Sequence, residues 1–213
     1  MKRKTASFTG TRPIFSGSPS IVPGGFNLDV ANQHFAVGDV IPAGTLAIGN
    51  EETRKVQIVR TATVVEIDAV YTKKVTRRVD EFFAPCFAVG NKVLKAGAVS
   101  GTFAAAPQIT KIEKNGQSYV VTLSAAISGL AADDTIVEVV ADASGNAAEI
   151  GKANTVTIRD EEVSEFETSV DVTADTMQYA LYERRVAPIP ASQKDTTGSF
   201  LAANPHVKLS KSL

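Results

Sequence analysis

The residues of this sequence best suited to chemistry form a run of carboxylates at positions 159–167, RDEEVSEFE. Carboxylates that lie close together bind cations or transfer protons in acid–base catalysis. The run lacks the D-x-D-x-D-G spacing of a calcium loop, and a run of charges is typical of a solvated face. We therefore predict a solvent-exposed segment here, with no catalytic or metal-binding role.

Histidine and cysteine are too scarce to build a metal centre or a catalytic nucleophile. The chain has two histidines, His34 and His206, and one cysteine, Cys86. A zinc site needs three or four ligands, and one cysteine cannot form a disulfide within the chain. Cys86 lies among phenylalanines, so we expect it to be a small buried hydrophobic residue. We assign no catalytic, cofactor-binding or metal-binding residues and no cofactor, and we expect that the protein is not an enzyme.

The phrase FAVG occurs twice, at residues 35–38 and 87–90, and an Ala–Gly pair follows each copy. Glycines in a loop can cradle a phosphate, but that motif needs a helix directly after the loop and a Lys–Ser/Thr pair. Neither copy supplies them. Gly38 and Gly90 permit a positive φ, and Pro42 fixes φ after the first copy. We interpret each copy as a sharp β-corner, and the two together as a candidate internal repeat.

The elements that position these residues are predicted to be strands. The 213 residues are 44% hydrophobic and include 15 glycines and 9 prolines. Abundant Thr and Val favour strands, and the turn formers favour short connections. We expect a mainly β fold: a compact β-barrel or sandwich-like body with a small inserted β-module and extended terminal arms. No apolar run has the length of a signal-peptide core or a membrane span, so we expect a soluble chain.

Two stretches carry the clearest strand signals. The apolar positions of residues 55–71 change from even to odd, which predicts a bulge or a break into two strands. Residues 108–123 predict a hairpin around a type I′ turn at Asn115–Gly116, with Ile112 opposite Tyr119. Alternation of apolar and polar residues predicts further strands at residues 133–142, 154–158, 165–174 and 176–186.

We divide the chain into four parts. Residues 1–25 and 187–213 lack periodicity and are expected to be extended arms, residues 26–86 with 151–186 form the β-rich body, and residues 87–150 form the inserted β-module. The arms carry more basic than acidic residues. Basic segments are typical of solvated tails, but the apolar residues in both arms favour docking of at least one arm along a neighbouring subunit or partner.

The segment VGDVIPAGTLAIG, at residues 37–49, resembles a phrase common to head decoration and head fibre proteins of tailed bacteriophages. Residues 87–140, with an I-T-x-I hairpin and an L-x-A-A-I-x-G-L-A-A-x-D turn, and residues 180–213 are also similar to parts of phage head proteins. The resemblance implies a structural protein of a phage or prophage virion, with no catalytic residues to carry over.

The same resemblance implies a location and partners. The protein would be made in the cytoplasm of the host bacterium and would sit on the capsid exterior, where it binds the major capsid protein and stabilises or extends the shell. It would be a homo-oligomer, with a trimer favoured, and would bind neither a membrane nor a specific nucleic acid. A bacterial carbohydrate- or surface-binding β-domain is the alternative hypothesis.

Overall fold

The computed structural model describes residues 13–17, 19–22, 25–70, 73–77, 84–116, 118–166, 168–173 and 179–211. Strands account for 44% of the structure and short helical turns for 5%, and one of the sheets is curled into a half-barrel. The prediction of a mainly β fold is therefore confirmed. Within the described ranges, no helix is long and apolar enough to cross a membrane.

The strands are short and are numbered here in chain order. They are β1 (Phe26–Leu28), β2 (Val40–Ile41), β3 (Leu46–Asn50), β4 (Lys55–Ile58), β5 (Thr61–Ile67), β6 (Lys74–Arg77), β7 (Val93–Lys95), β8 (Ile109–Asn115), β9 (Ser118–Leu123), β10 (Thr135–Ala141), β11 (Ala147–Glu149), β12 (Thr155–Val156), β13 (Glu161–Glu162), β14 (Ser169–Val170), β15 (Tyr179–Tyr182), β16 (Phe200–Leu201) and β17 (Asn204–Ser210).

The described strands group into sheets of different size. A five-stranded sheet has the order β12-β3-β4-β1-β14, and a seven-stranded sheet has the order β11-β10-β5-β6-β9-β8 with β7 beside β10. β13 pairs with β2, and a three-stranded sheet has the order β15-β17-β16.

The break predicted within residues 55–71 lies at Val59 and Arg60, between β4 and β5. β4 pairs with β3 and β1 in the five-stranded sheet, whereas β5 pairs with β6 and β10 in the seven-stranded sheet. The apolar side chains of the two strands belong to separate hydrophobic cores. The chain therefore changes sheets at Val59 and Arg60. The change of phase lies further along, at a β-bulge between Val64 and Glu66: Ala62 and Val64 are buried before the bulge, and Ile67 packs against the same core after it.

The seven-stranded sheet combines strands from two of the predicted parts. β8 to β11 come from residues 87–150, whereas β5 and β6 precede them and hydrogen bond to β10 and β9. Apolar side chains of β5, β6 and β9 share one core with Ile136 of β10. β5 and β6 thus pack with the strands of residues 87–150, and the division into body and inserted module remains a prediction.

The hairpin predicted at residues 108–123 is confirmed as β8 and β9, but the predicted register is wrong by two residues. Ile112 lies opposite Val121 rather than Tyr119, and Asn115 pairs with Ser118. The turn lies one residue later than predicted: Asn115 ends β8, and Gly116 has the positive φ, 59°. Because side chains alternate with a period of two, the shift leaves Ile112, Tyr119 and Val121 on one face, as predicted. A β-bulge between Ile109 and Lys111 breaks the alternation at the start of β8, so that Ile109 is buried and Thr110 is exposed.

The segment expected to be an extended C-terminal arm, residues 187–213, is instead folded into the protein. β17 pairs in parallel with β15 and antiparallel with β16. Val207 and Leu209 on β17 are buried. The strand escaped prediction because two consecutive exposed residues, Pro205 and His206, interrupt its alternation.

The described parts of the expected N-terminal arm lie against the same chain. Phe15 is buried and forms a bridge with Leu181, and Ile21 forms a bridge with Thr173. Residues 1–12 of that arm lie outside the described residues. Docking of an arm on a neighbouring subunit stays a prediction.

The remaining predicted strands are present but shorter. β10 lies within residues 133–142, and β12, β14 and β15 lie within the other three ranges. The alternation predicts that Phe166 points inward, but it is 86% exposed, because β14 begins only at Ser169. Residues 167 and 174–178 lie outside the described residues.

Candidate functional site: two repeated turns and a buried ion pair

The first FAVG copy forms a closed turn at residues 35–39, termed the first turn. The Ala36 amide donates to the Asp39 carboxylate at 2.8 Å, and the Asp39 amide donates to the Ala36 carbonyl at 2.9 Å. Gly38 has a φ of 85°, which favours glycine, and its amide donates to the Val163 carbonyl at 2.7 Å. The Val163 amide donates back to the Asp39 carbonyl at 2.8 Å, so the turn is fixed to a neighbouring segment on both sides.

The second FAVG copy forms the same structure at residues 87–91, termed the second turn. The Ala88 amide donates to the Asn91 side-chain oxygen at 2.7 Å, and the Asn91 amide donates to the Ala88 carbonyl at 3.2 Å. Gly90 has a φ of 103°. The Gly90 amide donates to the Ile109 carbonyl, and the Ile109 amide donates to the Asn91 carbonyl, both at 2.8 Å. The repeat in the sequence is therefore a repeat in the backbone.

Each turn leads through a short strand, β2 or β7, to an Ala–Gly corner. In the first corner the Thr45 amide donates to the Pro42 carbonyl at 3.3 Å. In the second corner the Ala98 amide donates to the Lys95 carbonyl at 3.1 Å. The third residue of each corner is a glycine at positive φ, Gly44 at 80° and Gly97 at 77°. This is the pattern of a type II turn. The predicted sharp β-corners are thus present in both copies.

A buried ion pair lies beside the first turn. Arg60 donates from Nη1 to the Glu138 carboxylate at 2.7 Å, and the two side chains are 0% and 8% exposed. The guanidinium of Arg60 also donates to the His34 carbonyl and lies 3.8 Å from the centre of the Phe35 ring. Arg60 therefore connects Glu138, in the middle of β10, to the chain where the first turn begins.

Glu138 accepts two further hydrogen bonds from neutral side chains. Asn91, in the second turn, donates to the carboxylate at 2.8 Å, and Gln33 donates at 3.2 Å. The Gln33 amide group also pairs with both backbone groups of Ile58, at 2.6 and 2.7 Å. One carboxylate thus contacts the second turn directly and the first turn through Arg60.

The four side chains of Glu138, Arg60, Asn91 and Gln33 are termed the junction. The electrostatics of the junction are those of a charge removed from water. Burial raises the pKa of Glu138 above its usual range, and the positive charge of Arg60 opposes that shift. A buried ion pair contributes little net stability compared with apolar residues of similar size. Removal of one partner, however, leaves the other charge buried with neither a counter-ion nor water around it. The junction is therefore sensitive to the loss of either charge.

A second buried arginine lies near Cys86. Arg77 donates to the Pro85 carbonyl at 2.7 Å, and its guanidinium lies 5.0 Å from the centre of the Tyr119 ring. Burial lowers the pKa of Arg77 and raises the pKa of the Cys86 thiol. Cys86 is partly buried and packs against a hydrophobic core. A thiol with a raised pKa is a poor nucleophile, which agrees with the expectation of a structural cysteine.

The described part of the acidic run, residues 159–166, does not converge on a cation site. Arg159 pairs with Glu161 at 2.6 Å and with Asp171 at 2.8 Å, and Asp160 accepts from the Ala43 amide at 2.7 Å. Among the residues that the structure describes, no group of three or more His, Cys, Asp or Glu side chains could hold a metal ion. Asp160 instead holds the chain at the first corner through its bond to Ala43.

Sequence analysis missed the residues of the junction. Arg60 and Glu138 are lone charges within apolar runs, VQIVRTATVV and TIVEVVA, and a charge in a buried strand requires a partner. That signal could have identified both as buried. It could not have paired them, because they are 78 positions apart.

The tips of the two turns expose apolar side chains at equivalent positions. Val37 is 69% exposed and Val89 is 50% exposed. The turns adjoin each other, since a Cβ on Gly90 would lie 3.7 Å from the Cδ2 atom of His34. The junction therefore supports two neighbouring turns, each with a valine at its tip.

No protein-family model matches the chain, and no curated protein or solved structure is significantly similar to it.

Proposed function

We propose that the protein is a structural protein of a bacteriophage or prophage virion, a head decoration or head fibre protein that binds the capsid surface and stabilises or extends it. The resemblance that suggests this function covers about residues 35–50, 87–140 and 180–213, and the first two of these ranges include the two turns. The partner is the major capsid protein, the protein is a homo-oligomer, with a trimer favoured, and it acts on the capsid exterior without catalysis.

The observation that carries the proposal is the pair of exposed valines, Val37 and Val89, on turns that backbone hydrogen bonds fix in place. Exposed apolar side chains on a rigid support lose little conformational entropy when a partner covers them. Several such contacts repeated over a symmetric shell add through avidity, so each can be weak.

Cosedimentation with capsids tests the proposal. The capsids are assembled from the major capsid protein encoded beside the gene of this chain. We expect the wild type to bind, and Val37→Lys and Val89→Lys to weaken binding by about tenfold or more, because a charge replaces a buried apolar contact. Val70→Lys is the matched control, since Val70 is 80% exposed in the loop between β5 and β6. Light scattering should give three times the chain mass of 22.4 kDa.

Absence of wild-type binding would overturn the capsid proposal. Equal effects of the three lysine substitutions would show that the two turns are not the contact surface.

A carbohydrate-binding role is the second candidate, and one observation favours it. Phe166 is 86% exposed and follows Glu165, and an aromatic face beside a hydrogen-bond acceptor is suited to a sugar ring. A glycan array that detects binding by the wild type and loses it with Phe166→Ala would support this role. Unchanged binding in Phe166→Ala would reject it.

A further inference from the structure

The two turns are joined through a single carboxylate. Glu138 accepts from Asn91 of the second turn at 2.8 Å, and from Arg60, which donates to the His34 carbonyl where the first turn begins. We propose that Glu138 is a latch that couples the two repeated turns, so that release of one turn loosens the other. This coupling goes beyond capsid binding and does not depend on it.

On the side of the second turn, two hydrogen bonds fix the side chain of Asn91. Its side-chain oxygen closes the second turn by accepting from the Ala88 amide at 2.7 Å, while its NH2 group donates to Glu138. The two bonds use the two ends of one planar amide. Loss of the bond to Glu138 therefore frees the side chain that closes the turn.

On the side of the first turn, the residues that bond to Glu138 are also held in place. Arg60 has no exposed side-chain surface, so it cannot replace Glu138 with bulk water. Gln33 also donates to Glu138, at 3.2 Å, and it immediately precedes His34. Arg60 thus contacts His34, and Gln33 precedes it in the chain. A displacement of Glu138 would therefore move the start of the first turn through both residues.

The internal repeat supplies a substitution that breaks the latch and keeps the turn. Asp39 in the first turn shows that a carboxylate at this position closes the turn as Asn91 does, with a bond of 2.8 Å. Asn91→Asp therefore preserves the local bond to Ala88, but it removes the donor to Glu138 and sets two carboxylates against each other. Asp39→Asn is the matched control, because it makes the reverse change in the first turn, where the side chain bonds to Ala36.

Amide hydrogen exchange, followed residue by residue by NMR, provides the readout. We expect Asn91→Asp to speed exchange of the Gly38 and Asp39 amides of the first turn by about tenfold or more, since a lost hydrogen bond to a charged group shifts a local opening equilibrium by at least that factor. We expect Asp39→Asn to leave the Gly90 amide of the second turn within about threefold of wild type.

A double variant tests whether Glu138 transmits the effect. Glu138→Gln in the Asn91→Asp background exchanges the positions of the amide and the carboxylate, so the junction keeps one negative charge beside Arg60 and regains a donor between the two side chains. Exchange at Gly38 and Asp39 should therefore return to within about threefold of wild type. Acceleration confined to the second turn in Asn91→Asp, or failure of the double variant to restore the first turn, would overturn the proposal. If Asn91→Asp does not fold by circular dichroism, exchange of the same amides is measured in Asn91→Ala. Faster exchange at Gly38 and Asp39 in that variant supports the latch, and acceleration confined to the second turn overturns it.

Discussion

Asn91 stands in the second turn where Asp39 stands in the first, and each side chain accepts a hydrogen bond from the amide three residues before it, at 2.7 and 2.8 Å. The two differ in one group: Asn91 has an NH2, which donates to the buried Glu138, and a carboxylate has no such donor. The two copies of the repeat thus share a backbone and differ in what they contact. Equivalent positions can therefore serve as controls for each other.

The glycines of the two corners give the first matched pair. A Cβ on Gly44 would lie 2.2 Å from Cγ1 of Val186, whereas a Cβ on Gly97 would have nothing within 4 Å, and both residues have a similar positive φ. We expect Gly97→Ala to lower the free energy of unfolding by about 1–2 kcal/mol, through the left-handed φ alone. Gly44→Ala adds overpacking and should cost about 2–5 kcal/mol in total. Urea denaturation measures both losses, and equal losses would contradict the role of Val186.

The buried carboxylate gives the second prediction. Glu138→Ala leaves Arg60 charged, buried and unpaired, so it should lower the free energy of unfolding by about 3–5 kcal/mol. Glu113→Ala is the control: Glu113 has a side chain 49% exposed on β8 and pairs with Lys111 at 2.8 Å. Its loss should lower the free energy of unfolding far less than the loss of Glu138, because solvent-exposed ion pairs contribute little to stability. Chemical denaturation measures the free energy of unfolding of both variants. Comparable losses in the two would refute the importance of the buried pair.

The pH dependence of stability forms the third prediction. Because burial raises the pKa of Glu138, the folded state retains a proton at pH values where the unfolded chain has lost it. This group therefore contributes stability that is fully present below its unfolded pKa and is lost as the pH rises through its folded pKa. Glu138→Gln does not titrate. The unfolding free energy of the wild type should thus fall relative to that of Glu138→Gln as the pH rises from about 4 to about 8.

The groups around Glu138 define the control for that experiment. Arg60 and His34 act on Glu138 through their charges, Cys86 interacts with both Glu138 and Arg60, and Gln33 and Asn91 contribute neutral donors. Histidine is the side-chain type whose charge ordinarily changes within this pH interval. The comparison is therefore repeated in a His34→Asn background, and a difference that is flat with pH, or opposite in sign, in both backgrounds would exclude the predicted titration of Glu138.

The C-terminal strand supplies the fourth prediction. Leu209 on β17 is buried, and its neighbour Lys208 is exposed. Leu209→Ala should lower the free energy of unfolding by about 2–5 kcal/mol, because it leaves a cavity in the core. Lys208→Ala should change it by less than about 0.5 kcal/mol. Thermal and urea unfolding report both values; if Leu209→Ala is as mild as Lys208→Ala, the strand is not part of the core.

Local signals in the sequence identified much of the fold. The change of phase within residues 55–71 marked a β-bulge in β5, just after the chain passes from one sheet to another, and the Asn115–Gly116 pair located the hairpin. The register of that hairpin was not recoverable, because Gly116 could occupy either central position of a two-residue turn and the face pattern is identical for both. The two FAVG phrases identified the corners, whose glycines require a positive φ.

The rest depended on contacts between distant residues. β17 is a strand because β15 and β16 pair with it, and the sequence of residues 204–210 carries no complete alternation of its own. The junction depends on Arg60 and Glu138, which are far apart in the chain. Each charged side chain could be recognised as unusual within an apolar run. The contact between the two, however, depends on how β5 and β10 pair.

The pairing of β17 with β15 also governs the order in which the chain can fold during synthesis. Phe15 and Leu181 share a hydrophobic core with Val207 and Leu209. A ribosome delivers residue 15 long before residue 209, so the apolar face that will receive β17 is exposed on the nascent chain until that strand emerges. Contacts of such long sequence separation slow folding and leave unpaired strand edges open to other chains. The emergence of β17, rather than the formation of the early strands, therefore completes this core.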